Sequence, residues 1–360
     1  MTEAVFAIPG DPDQRTGGYI YETSVLRSLN QVGCATELMR LPDSFPAPTP
    51  DDMVQTIGLL QQVPAERVII LDGFLVGALD PAAIAEIKAP MVGVVHHPLG
   101  LETGLSADRA AFLMRNEAAV LRQINHVVVP SPHTRQILIQ GFNVPAEKIT
   151  VALPGFLQPH VDPTPVDPPL ILSVGLLVPR KGHDVLIEAL SKITDLDWQA
   201  AIVGKQHAPR LAEALADRCK TLGLKEKIRF TGELTEKALN NWFNAASIFA
   251  LATRYEGYGM VLSEAMMFGL PIVSCRTGAV PDTVGDAGLL VTVDDPDAFA
   301  AALRNILTNA ELRSRLKGAA QARAASLPTW LETARQIATT IRNASTDNAV
   351  PARKGLKPKA

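Results

Sequence analysis

Short apolar runs, unbroken by polar residues, recur along this chain, and each is followed by a stretch with helical spacing. Glu3–Ile8, Val68–Leu71, Met91–Val95 and His126–Val129 are the runs of the first part. Leu170–Val174, Trp198–Val203, Ile228–Phe230, Ile248–Leu251, Pro271–Ser274 and Gly288–Val291 are those of the second. A strand with one wet face alternates apolar and polar residues. A run that is apolar at nearly every position is buried on both faces, as in a parallel sheet covered by helices. The intervening stretches read as helices: Tyr19–Gln31, His183–Ile193, Leu211–Leu222, Thr235–Ala246, one from about Gly259, and three near 296–309, 310–325 and 328–343. Ser131-Pro132 is a helix start, with Ser as the cap and Pro in the first turn. The alternation restricts the chain to a doubly wound α/β architecture.

At roughly 150 residues per domain, 360 residues make about two domains. Val161-Asp-Pro-Thr-Pro-Val-Asp-Pro-Pro169 cannot continue a helix or a central strand and reads as a stiff linker. The expected division is therefore 1–160, a linker at 161–169, and 170–327, followed by a last helix at 328–343 and a disordered tail over 344–360. Doubly wound sheets bind ligands at the C-terminal ends of their strands, so two facing sheets would place the site in the cleft between them.

Composition excludes several classes. Lys and Arg number 34 against 37 Asp and Glu, a balance unlike that of a nucleic-acid-coating protein. The halves differ: residues 1–150 carry 10 basic and 16 acidic side chains, residues 151–360 carry 24 and 21. An anionic ligand fits the second half better. Cys34, Cys219 and Cys275 are far apart and odd in number, which fits a reducing compartment and neither a disulfide framework nor a zinc site. No signal peptide and no transmembrane run is evident, so a cytoplasmic location is expected. The tail's Arg353, Lys354, Lys357 and Lys359 leave room for an anionic partner.

The phosphate loop GxxxxGK[ST], the HExxH and GxSxG signatures and a GxGxxG after the first strand are absent. The pairs Asp11/Asp13, Asp195/Asp197 and Asp295/Asp297 could bridge a metal to a diphosphate, but each falls in a turn where Asp is common as a cap. Asn343-Ala-Ser345 is a glycosylation sequon that means little without a secretion signal. Chemistry concentrates in Thr253-Arg-Tyr-Glu-Gly-Tyr-Gly-Met-Val-Leu-Ser-Glu264. A strand there ends in a Gly-containing loop (Gly257, Gly259) before a helix, whose free N–H groups and positive dipole end suit a phosphate. Glu256 and Glu264 suit hydroxyl groups rather than an anion, so the segment fits a nucleotide sugar. A solvated helix-start Glu and a surface Glu are the equally weighted alternative. Arg180 and Lys181, at the end of the strand Leu170–Val174, could stabilise a diphosphate leaving group or form a solvated basic pair. Gly17 and Gly18 form a turn that lets backbone approach a ligand. His96 and His97 close the strand Met91–Val95, where a lone His is more often structural.

Segments 172–190 and 249–291 closely resemble the retaining glycosyltransferases of family 4, whose fold, named GT-B, has two facing Rossmann-like domains with the ligand cleft between them. Glu256 and Glu264 match that family's E-x7-E motif. Gly17-Gly18, the strand from Pro90 to His96, Ser131-Pro-His-Thr134 and Leu153-Pro-Gly155 fall where the family has them, and the resemblance covers about residues 1–343. It implies a transfer of a UDP- or GDP-linked sugar to a hydroxyl acceptor, as in cell-surface glycan or glycolipid synthesis, with retention and with no metal or other cofactor. It implies that Glu264 binds the ribose hydroxyls and Glu256 the hydroxyls of the transferred sugar. Backbone N–H groups of Gly257, Tyr258, Gly259, Met260 and Val261 would hold sugar and phosphate. Lys181, with Arg180, would face the diphosphate, Gly17 and Gly18 would approach it from the first domain, and His96 would touch the sugar near the reacting carbon, with His97 as the residue one position out of register. Attack from the face the leaving group departs, with the phosphate taking the acceptor proton, is the family's mechanism. The resemblance also implies a last helix that crosses back onto the first domain and allows peripheral membrane contact.

Two departures stand out. The family's Arg directly after the glycine of the first strand of the second domain is Leu176 here, and its Gly-Gly-x-Pro-Glu reads Gly278-Ala-Val-Pro-Asp282. Leu176 keeps a non-catalytic nucleotide-sugar-binding protein in view, beside another GT-B enzyme such as a phosphorylase or an epimerase. The missing dinucleotide fingerprint speaks against a dehydrogenase.

Overall fold

The computed structural model describes residues 3–14, 16–102, 104–206 and 209–347. The chain divides into two compact units, residues 1–155 with 328–360, and residues 156–327. The first unit runs β1 (Ala4–Pro9), α1 (Gly17–Gln31), β2 (Thr36–Leu41), α2 (Pro50–Gln61), β3 (Val68–Leu71), α3 (Gly73–Ala78), α4 (Pro81–Ile84), β4 (Met91–Val94), α5 (Ala107–Leu121), β5 (His126–Val129), α6 (Pro132–Phe142) and β6 (Ile149–Val151). The second runs β7 (Leu170–Val174), α7 (His183–Ser191), β8 (Gln199–Val203), α8 (Pro209–Thr221), β9 (Ile228–Gly232), α9 (Glu236–Ala245), β10 (Ile248–Leu251), α10 (Met260–Met267), β11 (Ile272–Cys275), α11 (Val280–Val284), β12 (Gly288–Val291), α12 (Pro296–Thr308) and α13 (Ala310–Ala325). The chain then returns to the first unit as α14 (Trp330–Asp347).

Each unit holds a six-stranded sheet in which every pairing is parallel. The first has the order β2-β1-β3-β4-β5-β6, the second β12-β11-β10-β7-β8-β9. The central strands are buried at every position, as their apolar runs require. The winding direction reverses between β1 and β3 in one sheet and between β7 and β10 in the other. At such switch points the following loops part and leave a crevice at the strand ends.

The last helix buries Ala334, Ile337, Ala338, Ile341 and Ala344 against β1, α1 and β4 residues such as Phe6, Val25 and Val94. Its Thr333 hydroxyl donates to the Leu153 carbonyl at 2.7 Å, and Trp330 meets Tyr21 edge-on at 5.7 Å. It runs through Asp347, so residues 344–347 are helical rather than part of a tail, because Ala344 completes the apolar stripe. The basic residues Arg353, Lys354, Lys357 and Lys359 lie outside the described residues.

The proline-rich run at 161–169 is a strap within the second unit. The Asp162 N–H donates to the Asn244 side chain, and the N–H groups of Thr164 and Val166 donate to the carbonyls of Asn244 and Ala245. Prolines between those donors leave the alternate N–H groups to bind the end of α9. The division between units falls at Gly155 and Phe156.

Candidate functional site

In the second unit the residues singled out after β7 and after β10 meet across the switch point. Pro179–Lys181 forms one 3-10 turn and ends at Gly182, whose left-handed φ of 63° starts α7. A Cβ at Gly182 would collide with the Ala252 carbonyl, which fixes the turn against the end of β10. The Lys181 ammonium donates to Glu256 Oε1 at 2.6 Å, and the Arg180 guanidinium lies 3.6 Å from Oε2. Arg180 also donates to the Tyr255 carbonyl at 2.9 Å, and the Thr253 hydroxyl lies 3.0 Å from Glu256 Oε1. The stem of Lys181 lies against Gly175, where a side chain would push it aside.

Glu256 is only 5% exposed. Burial acts to raise its pKa, but Lys181 and Arg180, with hydrogen bonds from Lys181 and Thr253, hold it below the ordinary value. It is a buried carboxylate kept ionised by two cations. Glu264, in the second turn of α10, is the reverse case: burial pushes it up to about 7 against the pull of Lys181, helped by the charge of Glu236. No hydrogen bond to its carboxylate is made among the described residues.

Helix starts around this crevice share a property. Several helices away from it are capped by side chains: Thr49 on α2, Ser106 on α5, Thr235 on α9, Asp295 on α12 and Asn309 on α13, whereas α1 of the first unit starts without one. The starts of α7, α10 and α11 have no side-chain cap. Gly259, with φ of 84°, begins α10. A capping side chain would occupy the N–H groups of the first turn; glycine leaves them available to an anion. Gly257 and Met260–Val261 are half-buried in this turn, while the Tyr258 ring is buried and lies 3.1 Å from Ser263 through its hydroxyl.

Leu176, at the position where the family has Arg, contributes its carbonyl as partner to buried His183, 3.2 Å away. Arg180 provides the second cation, through the Tyr255 and Glu256 contacts.

The first unit gathers a different group. Gly18 lies beneath the His96 ring, so that a Cβ there would touch Cδ2 at 3.5 Å. His96 Nε2 lies 3.3 Å from Oε1 of Glu22, which is fully buried in α1. Asp72, at the end of β3, caps α3 by accepting from Phe74 N–H at 2.7 Å. Burial and the Glu22 charge push the Asp72 carboxyl well above the carboxylate range. Burial also raises Glu22 to about 7 and lowers His96, against the pull of Asp72 on the latter. Glu22 and Asp72 are not singled out by the sequence reading. Their signal is a charged residue on the apolar stripe Glu22, Val25, Leu29 of α1, and an Asp closing an apolar strand. His97 lies beside His96, half-buried.

The Asp-x-Asp pairs serve turns and caps: Asp11 accepts from Asp13 N–H, Asp195 pairs with Arg304, Asp295 caps α12 and Asp297 pairs with Lys192. Among the described residues no cluster of three metal-ligating side chains occurs.

Two family models match consecutive parts of the chain: "Glycosyltransferase Family 4" over residues 44–156 and "Glycosyl transferases group 1" over 158–323. The chain belongs to the family-4 glycosyltransferases. Among solved structures, a glycosyltransferase of the same fold, the sucrose-phosphate synthase of Thermosynechococcus elongatus, superposes with a TM-score of 0.81 at 20% identity, over 96% of this chain and all of that one. Anabaena HepE in complex with UDP-glucose follows with a TM-score of 0.76 at 18% identity, over 94% and 99%. Both share the GT-B fold of two Rossmann-like units. In sequence, a D-inositol 3-phosphate glycosyltransferase of Xylanimonas cellulosilytica is 36% identical over 45% of this chain and 39% of the relative. A mannosylfructose-phosphate synthase of Agrobacterium fabrum is 26% identical over 62% and 54%. The matched part thus spans about half the length of these curated glycosyltransferases. No helix among the described residues is long and apolar enough to cross a membrane.

Proposed function

We propose that this chain transfers a sugar from a nucleoside-diphosphate donor to a hydroxyl acceptor with retention of the anomeric configuration and without a resident metal. The observation that carries the reading is the pairing of Lys181 and Arg180 on buried Glu256, beside the uncapped start of α10. A diphosphate leaves with developing negative charge. Two fixed cations and a helix N-terminus, already oriented, stabilise that charge without reorganising. Lys181 and Arg180 take this role, which a divalent ion plays elsewhere. Glu256 keeps both cations in place and offers its carboxylate to sugar hydroxyls, and Glu264 accepts from ribose hydroxyls. The N–H groups of Gly257–Val261 hold the phosphate side. Gly17, Gly18 and His96 enter from the family resemblance as the first unit's contribution. The acceptor attacks from the face the diphosphate leaves, and the departing phosphate oxygen takes its proton.

Relatives support a choice of donor and acceptor class: HepE is seen in complex with UDP-glucose, and two other relatives are a sucrose-phosphate synthase and a mannosylfructose-phosphate synthase. We place this chain's donor among UDP- and GDP-sugars and its acceptor among polyols and sugars. A thermal-shift screen with UDP-glucose, UDP-N-acetylglucosamine, GDP-mannose and ADP-glucose tests the donor, and NMR of the product's anomeric proton tests retention. Inversion, or activity lost to EDTA and restored by Mn²⁺, would refute the respective part.

A further inference from the structure

Glu22 is an expensive residue for α1. It sits between Gly18 and Val25 on the helix face turned to the sheet and is fully buried. Its Oε2 has no hydrogen-bond partner by distance and angle. A buried carboxylate without full pairing costs stability, so a fold retains one where it serves another group. One group is within reach: His96, with Nε2 at 3.3 Å from Oε1. The His96 ring is otherwise held by packing. Tyr21 meets it edge-on at 5.0 Å, Gly18 lies beneath it, and the Thr134 hydroxyl approaches its carbonyl. Its other nitrogen, Nδ1, makes no hydrogen bond among the described residues, and 26% of the side chain is open.

We propose that Glu22 is a positioning residue for His96: it accepts from Nε2–H, fixes that tautomer, and leaves Nδ1 as the acceptor turned to substrate. This rests on the reading of His96 as a residue of the transfer reaction. An imidazole's free nitrogen is chosen by the hydrogen bond at the other one. Asp72 completes the arrangement. Burial and the Glu22 charge hold its carboxyl well above the carboxylate range, and it acts on Glu22 to lower a pKa that burial raises to about 7. The titratable groups around the pair are Asp72 from the β3–α3 turn and Tyr19 from α1. Tyr19 donates to the Pro9 carbonyl at 2.9 Å, and its hydroxyl is pushed up to about 12 by burial and by Asp72 and Glu22. It is therefore a neutral neighbour at any working pH.

The test is the tautomer itself, read by 15N–1H NMR of the full chain at pH 8, with the His96 signal assigned by its absence in His96→Ala. The expected result is Nε2–H with Nδ1 unprotonated in the wild type. In Glu22→Gln, whose amide can donate as well as accept, the Nδ1–H form should gain to a mixture. Nδ1–H in the wild type, or no change in Glu22→Gln, overturns the proposal. Turnover with whichever nucleotide sugar raises the melting temperature gives the second arm. Glu22→Gln should lower kcat by about 10²-fold with donor KM within twofold, and add less than threefold to the loss already present in His96→Ala. If His96→Ala keeps wild-type turnover, the reading of His96 fails. If His96→Ala loses turnover and Glu22→Gln does not, only the assignment of Glu22 fails. Should Glu22→Gln melt below assay temperature, Glu22→Asp replaces it, with the same tautomer readout.

Discussion

Three glutamates in this protein hold their protons unusually tightly, each for the same reason, removal from water: Glu22 and Glu264 to about 7, Glu117 to about 8. Glu117 accepts from Leu99 N–H at 3.0 Å and leaves Oε1 unpartnered and fully buried. A carboxyl with a folded pKa above its unfolded one binds more protons folded. The stability it contributes is whole below the ordinary value of 4.5 and is lost as the pH climbs through 7 to 8. Melting temperature should therefore fall between pH 5 and pH 9. Glu117→Gln keeps the contact to Leu99 and removes the titration, so it should melt roughly 5 °C above the wild type at pH 9 and alongside it at pH 5. A differential scanning calorimetry series over pH decides this. At Glu264, on the proposed function, the same chemistry would reach the donor. Ionised Glu264 accepts hydroxyl hydrogen bonds that the protonated form partly refuses, so donor affinity should climb from pH 6 to pH 8, and Glu264→Gln should flatten that slope in titration calorimetry. Lys181→Ala should cut turnover about 10²- to 10³-fold by leaving the leaving-group charge to Arg180 alone. Lys181, Glu256 and Glu264 are legible in the sequence because they occupy one short segment each. Glu22, Asp72 and Glu117 are not, because a glutamate in a helix or an aspartate at a strand end looks like ordinary surface and cap chemistry until burial is known.

At the scale of elements, the proposed function assigns the donor to helices that begin without a side-chain cap. Asp295 caps α12 and Gly259 starts α10 with nothing in the cap position. Asp295→Ala should cost about 1 kcal/mol of stability and leave donor binding unchanged. Gly259→Ala forces a residue with a Cβ to a φ of 84° and against Leu262, and should weaken donor binding tenfold or more. Isothermal titration and thermal melts on the two variants make the comparison. The buried strands were legible from composition alone. β2 was not, because its residues Thr36–Leu41 are buried only at the ends and exposed in between, as an edge strand allows. β6, three residues long, falls below the length at which a run is visible. The prolines of 161–169 were legible as a non-helical segment, but their role as a strap on α9 depends on which N–H groups remain and where those point.

The whole molecule is two parallel sheets, and the proposed site residues follow β7 and β10 in one and β1 and, for His96, β4 in the other. Ile337→Ala, in the helix that returns to the first unit, should cost 2–5 kcal/mol. Hydrogen exchange should lose protection in β1 and α1 while β7–β12 keep theirs, because the contacts of Ile337 stay inside the first unit's core. That returning helix also bears on how the protein is made. A ribosome finishes β6 at Val151 and then adds the entire second unit before α14 emerges, on the order of 10–40 s later at common translation rates. Through that interval Phe6, Val25 and Val94 lack the helix that covers them, and the nascent first unit is sticky for as long as translation of the second takes. Slow codons after Leu327 would prolong the exposure.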